Sequence, residues 1–316
     1  MRLQLPLAAL VAALLGVSCS SAPTALAPWP AATSTIRAGA DFELSALEQV
    51  VGEAFDPASP ALEQALARIH ALQPSARACA AGWTAMEAYC GRLLPLLESF
   101  PYEVQGVEPA VLALGAFHQE LLRSHAIAAD PLGDGLATQV ARRMRASYST
   151  SVACAEAELA IIPLADAIAQ THEVHVRKIA AASTFITDLL DEDARATSNR
   201  RDTLIEIVRA VEEELRMEAA GAGRARPDAS EVLALHRPEL TVLESRLTVL
   251  SARRAQISGA CEQQRSRAQR AGFAAREWAI AHREITLALR EGRPRANLSL
   301  LQASAAELGR RPTAVR

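Results

Sequence analysis

The feature that most constrains this chain is a heptad pattern in its last long segment. From residue 240 to residue 289, positions spaced alternately by three and four residues are mostly apolar. They are Leu240, Leu243, Leu247, Leu250, Arg254, Ile257, Cys261, Gln264, Ala268, Ala271, Ala275, Trp278, His282, Ile285 and Leu289. This spacing forms one stripe along an α-helix and is typical of a left-handed coiled-coil contact. The segment therefore predicts a long helix that packs against another, with hydrated sections at the polar positions of the stripe.

The rest of the chain is also predicted to be helical, because no segment shows the alternating pattern of a β-strand. Pro and Gly residues divide the first half into helices of ordinary length. In the second half, Pro163 either kinks a long helix or begins a new one. The predicted helices cover approximately residues 41–54, 60–72, 76–98, 108–128, 135–193, 201–220 and 238–290.

The composition restricts how these helices can pack. Half of the residues are hydrophobic but only 4% are aromatic, so the core must consist mainly of Ala, Leu, Val and Ile. Small side chains favour helix formation and let helices approach closely. We predict an all-α fold, an elongated antiparallel helical bundle with long coiled-coil-like helices in the C-terminal half. Short helices would form residues 41–130, and the long helices would form residues 131–310.

The N-terminus has the features of an export signal. Met1 and Arg2 precede an apolar stretch, Leu3 to Val17, which has the length of a signal peptide and is short for a membrane-spanning helix. We interpret residues 1–18 as a signal peptide. Residues 19–40 are rich in Pro, Ala, Ser and Thr and show no periodic apolar face, so we expect a flexible tether there.

The residues Leu15-Gly16-Val17-Ser18-Cys19 resemble the lipobox of bacterial lipoproteins. In that family, small residues precede a cysteine that receives diacylglycerol and becomes the new N-terminus. The resemblance covers residues 1–21 and departs from the common pattern at Gly16, three positions before the cysteine. It implies a lipid anchor on Cys19 and a place in the bacterial cell envelope, on the outer membrane facing the periplasm. The alternative is signal-peptidase cleavage after Ala27, although Pro28 would then follow the cut.

Lipidation of Cys19 would leave an even number of cysteines in an oxidising compartment, enough for two disulfide bridges. The candidates are Cys79, Cys90, Cys154 and Cys261. On one continuous helix, Cys79 and Cys90 would be separated by about 16 Å along the axis, which is too far for a bridge. Bridges to other helices are therefore preferred, with Cys154 as the first partner for Cys261. A helix break near Gly82 would instead allow the pairing of Cys79 with Cys90.

The strongest candidates for chemistry are His172 and His175, which lie on one face of a predicted helix. Two imidazoles at that spacing could share a metal ion. However, they are three residues apart, whereas the His-Glu-x-x-His zinc motif has a spacing of four, and Glu173 points away from their face. The sequence therefore predicts no metal site and no cofactor. His172 and His175 remain weak candidates, and they would need His118 or His282 as further ligands.

The sequence contains no nucleophile elbow, no phosphate-binding loop and no paired-cysteine motif. The net charge of −3 gives no reason to expect nucleic acid as a partner. We therefore expect a membrane-anchored bacterial envelope lipoprotein of structural or protein-interaction type, without catalytic activity. Its partners would be membrane lipid, through Cys19, and another protein or a second copy of the chain, through the long helices.

Two alternative functions stay open. Long amphipathic helices could rearrange onto a bilayer, which would make the chain an α-helical membrane-active protein. A metal-binding helical-bundle enzyme could use His172 and His175.

Overall fold

The structure is a computed structural model that describes residues 26–42, 44–98, 107–291, 293 and 295–310. Within these residues it contains nine helices and no strand, which confirms the predicted all-α fold. The helices are α1 (Pro28–Gly39), α2 (Leu44–Ala54), α3 (Pro60–His70), α4 (Gln73–Glu98), α5 (Val107–Arg123), α6 (Gly133–Arg145), α7 (Thr150–Ala219), α8 (Ala229–Arg290) and α9 (Ser299–Gly309).

The described chain forms two compact units. The first unit combines residues 26–41, 75–174 and 267–310, and the second combines residues 42–74 and 175–266. Helices α7 and α8, with 70 and 62 residues, contribute to both units. Both the predicted short-helix part, residues 41–130, and the predicted long-helix part, residues 131–310, contribute residues to each of the two units. Antiparallel helices bring together residues that are remote in sequence, so compact units need not be continuous segments.

The core of the first unit is rich in small side chains, as the composition predicts. Alanines from α7 and α8 are less than 2% exposed; they include Ala157, Ala160, Ala165, Ala271, Ala274 and Ala275. A Cβ added at Gly272 of α8 would lie 3.0 Å from the Cβ of His172 on α7. A Cβ added at Gly82 of α4 would lie 3.0 Å from Ile168 of α7. The helices of this unit therefore approach closely because glycine and alanine occupy their contacts.

Helix α1 contradicts the prediction of a flexible tether over residues 19–40. Trp29 and Ile36 of this helix are fully buried, and Ala32 and Thr33 are buried between them. Pro28 stands at the first helical position, where its fixed φ favours the helix and its missing N–H costs nothing. The apolar face is hard to recognise in the sequence, because Pro, Ala, Ser and Thr surround Trp29 and Ile36. The rest of the predicted tether, residues 19–25, lies outside the described residues, as does the signal peptide.

Helix α1 packs against α9, which the sequence did not predict. A Cβ added at Gly39 would lie 2.8 Å from both the Cβ and the backbone oxygen of Leu308, and one at Gly309 would lie 3.1 Å from Thr35. Leu301, like Leu308, is buried on the inner face of α9. The first and last described helices therefore complete one core.

The predicted helix over 135–193 was wrong at both ends. Its first part is separate, because residues 146–149 leave the helical conformation between α6 and α7. The hydroxyl of Ser149 accepts a hydrogen bond from the backbone N–H of Val152 at 3.4 Å, at the start of α7. At the other end, no Pro or Gly interrupts residues 194–200, and α7 continues to Ala219. Pro163 lies inside α7 and does not end it.

The predicted heptad stripe of α8 is buried through most of its length. Its members from Leu250 to Ile285 are buried, except Arg254, whose guanidinium pairs with Asp191 at 2.8 Å. Leu240, Leu243, Leu247 and Leu289 are half-buried. Gln264 and His282 are also buried, so the prediction of hydrated sections was wrong at these two positions.

In the second unit, α7 and α8 run antiparallel and are joined by ion pairs along their edges. Residue numbers rise along one helix as they fall along the other, as expected for neighbours connected by a short loop. The pairs are Asp191–Arg254, Asp193–Arg246, Arg200–Glu239 and Glu212–Arg237, and Glu214 of α7 also pairs with Arg226 in the loop before α8. Between the helices lies a small apolar cluster that includes Val208, Val211, Ala229 and Leu233.

The contact at Gly39 gives a first testable prediction. Gly39→Ala should destabilise the protein by about 1–3 kcal/mol, because the new methyl group overlaps Leu308 and its backbone carbonyl. The matched control is Gly115→Ala in α5, where a Cβ meets nothing within 4 Å. That change should stabilise the protein by about 0.5–1 kcal/mol, since alanine favours helix over glycine. Urea unfolding of both variants is the measurement, and equal effects would contradict the close α1–α9 contact.

Candidate functional site

The two histidines singled out from the sequence are both buried on α7, but their surroundings differ. The Cβ of His172 faces Gly272 of α8. The ring of His175 packs against Phe42, with ring centroids 4.9 Å apart. Burial, with a smaller contribution from the nearby Lys178 charge, lowers the pKa of His175 to about 4. His175 is therefore neutral at physiological pH.

Across the residues that the structure describes, no three His, Cys, Asp or Glu side chains lie close enough to hold a metal ion. The further ligands that the metal hypothesis requires make other contacts. Nε2 of His118 lies 2.8 Å from Oδ1 of Asp130, and Nε2 of His282 lies 3.1 Å from the hydroxyl of Tyr89. The structure therefore does not bring these histidines into one ligand set.

The contact between His118 and Asp130 organises the loop between α5 and α6. Oδ1 of Asp130 also accepts a hydrogen bond from the backbone N–H of Leu132 at 2.9 Å. Burial alone would raise the pKa of Asp130, but the hydrogen bonds from Leu132 and His118 outweigh it, and the net shift is downward. Sequence reasoning missed this carboxylate because it lies beyond the helix that carries His118.

His125 shares a helix face with His118 in the sequence, yet it ends the helix instead. It has a φ of 54°, the left-handed conformation common just after a helix. The backbone N–H of Ala126 donates to the carbonyl of Leu121, and that of His125 donates to Leu122. These two bonds form a Schellman motif, so His125 acts as a helix terminator.

The most distinctive assembly in the first unit is a group of rings in tilted and edge-to-face contact, which we call the aromatic cluster. It consists of Trp29, Tyr89, Phe117, Trp278 and His282, supplied by α1, α4, α5 and α8. The ring centroids of Trp29 and Trp278 are 5.5 Å apart, and those of Tyr89 and Phe117 are 5.2 Å apart. Such contacts lie in the range where aromatic pairs attract beyond their area burial. A chain with few aromatic residues thus concentrates five rings at the junction of four helices.

The polar groups of the aromatic cluster are held in their neutral forms. Burial, with smaller contributions from the Cys154 and Cys90 thiols, raises the pKa of Tyr89 well above its ordinary value. Burial lowers the pKa of His282 to about 4. The phenol and the imidazole share the 3.1 Å hydrogen bond, whose direction depends on the imidazole tautomer. At neutral pH this arrangement stabilises the core without holding a charge.

The four disulfide candidates are all buried, and no disulfide joins these described cysteines. Helix α4 is continuous past Gly82 and contains both Cys79 and Cys90. This continuity removes the helix break that their mutual pairing required. The thiol of Cys90 lies 3.6 Å from the hydroxyl of Thr33.

Burial raises the pKa of Cys90 to about 12, despite opposing hydrogen bonds from Thr33 and Trp278. Burial also raises the pKa of Cys154 to about 12, and it raises the pKa of Cys261. A thiol reacts as its thiolate, so these buried groups are poor nucleophiles.

None of the helices in the described part of the chain combines the length and apolar character that crossing a membrane requires.

The neutral state of His282 predicts a dependence of stability on pH. An unfolded histidine takes up a proton below about pH 6.5, whereas buried His282 stays neutral down to about pH 4. The unfolded chain therefore binds more protons in this window, and the protein should lose stability as the pH falls from about 6.5 to about 4. One such group accounts for up to about 3 kcal/mol.

Urea unfolding at several pH values between 4 and 7 measures this effect. His282→Phe should reduce the slope of the unfolding free energy against pH, although His175 still contributes in the same window. Phe117→Leu supplies the control, because it alters the same aromatic cluster without removing a titratable group and should leave the slope unchanged. Equal slopes for the parent protein and His282→Phe would contradict the neutral, buried imidazole.

The burial of the thiols predicts slow alkylation. With a pKa of about 12, about one Cys90 or Cys154 thiol in ten thousand is ionised at pH 8. Both should react with iodoacetamide at least about 100-fold more slowly in the folded protein than in urea. Peptide mass spectrometry over time gives both rates, and it would reveal a disulfide as a linked peptide pair. Rapid alkylation of folded protein would contradict this assignment.

Comparison with known proteins adds no relative, because the chain matches no protein-family model, no curated protein and no solved structure.

Proposed function

We propose that this chain is a lipoprotein of the bacterial cell envelope, held on the outer membrane through Cys19 and facing the periplasm. Its role is structural or protein-interacting, without catalytic activity. The observation that carries the proposal is the sequence Leu15-Gly16-Val17-Ser18-Cys19 at the end of an apolar N-terminal run. Cys19 lies outside the described residues, so the proposal rests on this resemblance and on the signal-peptide pattern before it.

The position of α1 gives the proposal a spatial consequence. Helix α1 begins at Pro28 and is packed into the core of the first unit. The chain from Cys19 to Pro28 can span at most about 30 Å when fully extended. An anchor on Cys19 would therefore keep the first unit close to the lipid surface. This replaces the longer tether, over residues 19–40, that the sequence suggested.

An interaction role is supported by the side chains that α8 exposes. Leu235 and Val242 are 67% and 65% exposed, and Val249 is 43% exposed. Large apolar side chains in one line along a helix mark a surface for a protein partner. Burial also favours the neutral forms of Tyr89, His175 and His282 inside the protein.

The lipid anchor is testable on the mature N-terminus. Mass spectrometry of the full-length protein expressed in a Gram-negative host should show an N-terminal Cys19 carrying acyl chains. Cys19→Ala should incorporate no labelled palmitate and should keep its signal peptide, because the lipid-dependent cleavage needs the cysteine. The neighbouring change Ser20→Ala is the control and should be processed normally. An unacylated N-terminus at Pro28 in the parent protein would disprove the proposal.

A further inference from the structure

Helix α8 carries a second heptad stripe that the core does not use, and we call it the outer seam. Its members follow steps of three and four residues within the second unit. They are Leu235, Pro238, Val242, Ser245, Val249, Ala252, Gln256 and Gly259. All eight are exposed, and none carries a charge. The outer seam extends for about 36 Å along the helix.

The outer seam lies on the opposite side of α8 from the stripe that packs in the core. A shift of two residues along an α-helix rotates by about 200°, and the outer seam is the inner stripe shifted by two positions. Leu250 and Ile257 on the inner side are 4% and 1% exposed, whereas Val242 and Val249 on the outer side are 65% and 43% exposed. Within the described chain, nothing lies within 4 Å of a Cβ added at Gly259. This face is therefore open.

Large and small side chains alternate along the outer seam in a self-complementary order. Leu235, Val242 and Val249 have large side chains. Ser245, Ala252 and Gly259, which follow Val242, Val249 and Gln256 in the stripe, have small ones. In an antiparallel pair of coiled-coil helices, the first core position of one heptad faces the second core position of the other helix. Two identical seams arranged in this way place a large side chain opposite a small one in most layers.

We propose that the outer seam of one copy packs antiparallel against the outer seam of a second copy, about a two-fold axis near Leu247. In this register Leu235 faces Gly259 of the second copy, Val242 faces Ala252, and Val249 faces Ser245. Pro238 faces Gln256. The two-fold axis generates each of these contacts twice, which is the property of an isologous dimer interface.

The flanking positions fit the same register. On one side, Glu239, which already pairs with Arg200 of its own chain at 3.0 Å, lies beside Arg253 of the second copy, so symmetry adds two attractive contacts between unlike charges. Arg246 meets its own counterpart at the axis, but each Arg246 is already paired with Asp193 at 2.8 Å. On the other side, Thr248 meets its counterpart and no like charges face each other. Small side chains on that flank allow close approach of the two helices.

The size of this interface sets how strongly it associates. A strip about 36 Å long and about 11 Å wide covers roughly 400 Å² on each copy, or roughly 800 Å² in total. Stable dimers of free proteins bury at least about 1,200 Å² in total. The pairing is therefore weak in solution and is favoured when both copies are held on one membrane. In this respect the inference rests on the proposed lipid anchor and names the partner of the anchored protein as a second copy.

Thiol cross-linking in intact cells tests this pairing with the full-length chain. Thr248→Cys lies at the two-fold axis and should give a cross-linked dimer with a short bis-maleimide reagent, at least fivefold above the parent protein. The parent background should be low, because the described cysteines are buried. Ser251→Cys, equally exposed on α8 but turned away from the outer seam, should give only background. The yield for Thr248→Cys should fall at least fivefold after extraction into detergent.

A charged seam supplies the second arm of the experiment. Adding Val242→Glu and Val249→Glu to Thr248→Cys should reduce the dimer at least fivefold, whereas adding Ser251→Glu should not. Val242, Val249 and Ser251 are all exposed. Circular dichroism of the purified variants shows whether the helices are retained.

The orientation of the pair has its own test. Val242→Cys faces Ala252 of the second copy, so Val242→Cys alone should cross-link poorly. Coexpression with an Ala252→Cys chain should restore the cross-linked dimer. Strong cross-linking of Val242→Cys alone would overturn the antiparallel arrangement, and equal yields for Thr248→Cys and Ser251→Cys would overturn the dimer. The N-terminal mass is measured on the same samples, so loss of the anchor is distinguished from loss of the dimer.

Discussion

Close approach of helix backbones is the constraint on which the rest of the first unit depends. Alanine and glycine at helix contacts bring α7 against α8 at Gly272, α4 against α7 at Gly82, and α1 against α9 at Gly39. Small residues contribute little apolar area individually, so such a core gains stability from dense packing over long contacts. Five rings can then be gathered at one place, the aromatic cluster, without separating the helices elsewhere.

The same packing determines the chemistry of the polar residues inside. A dry environment disfavours charge, so the His282 imidazole, the Tyr89 phenol and the Cys90 thiol are all shifted towards their neutral forms. Neutral, hydrogen-bonded groups can be buried at small cost, whereas ions would require paired partners. The histidines that the sequence offers as weak metal candidates and the cysteines that it offers for disulfides are consequently buried within the packed helices.

The function proposed for the chain combines a terminal anchor with an open helix face. A lipid on Cys19 would confine each copy to a plane, and confinement raises the effective concentration of a weak interaction. The outer seam, uncharged and composed of alternating large and small residues, is suited to such an interaction. Its partner requires no recognition motif beyond the stripe itself, because two copies related by a two-fold axis present complementary surfaces to each other.

The sequence by itself determined the helical class, the inner stripe of α8 and most helix positions in the first half, because periodicity and proline placement act locally. It also carries the lipobox-like segment, which depends on adjacent residues alone. Only the tertiary structure decided that Trp29 and Ile36 belong to the core, since about two turns of apolar spacing are weak evidence until other helices cover them. The partner of His118 and the separate surroundings of His172 and His282 were likewise decided by packing. Contacts between distant segments follow from how whole helices approach one another, and no local pattern specifies that.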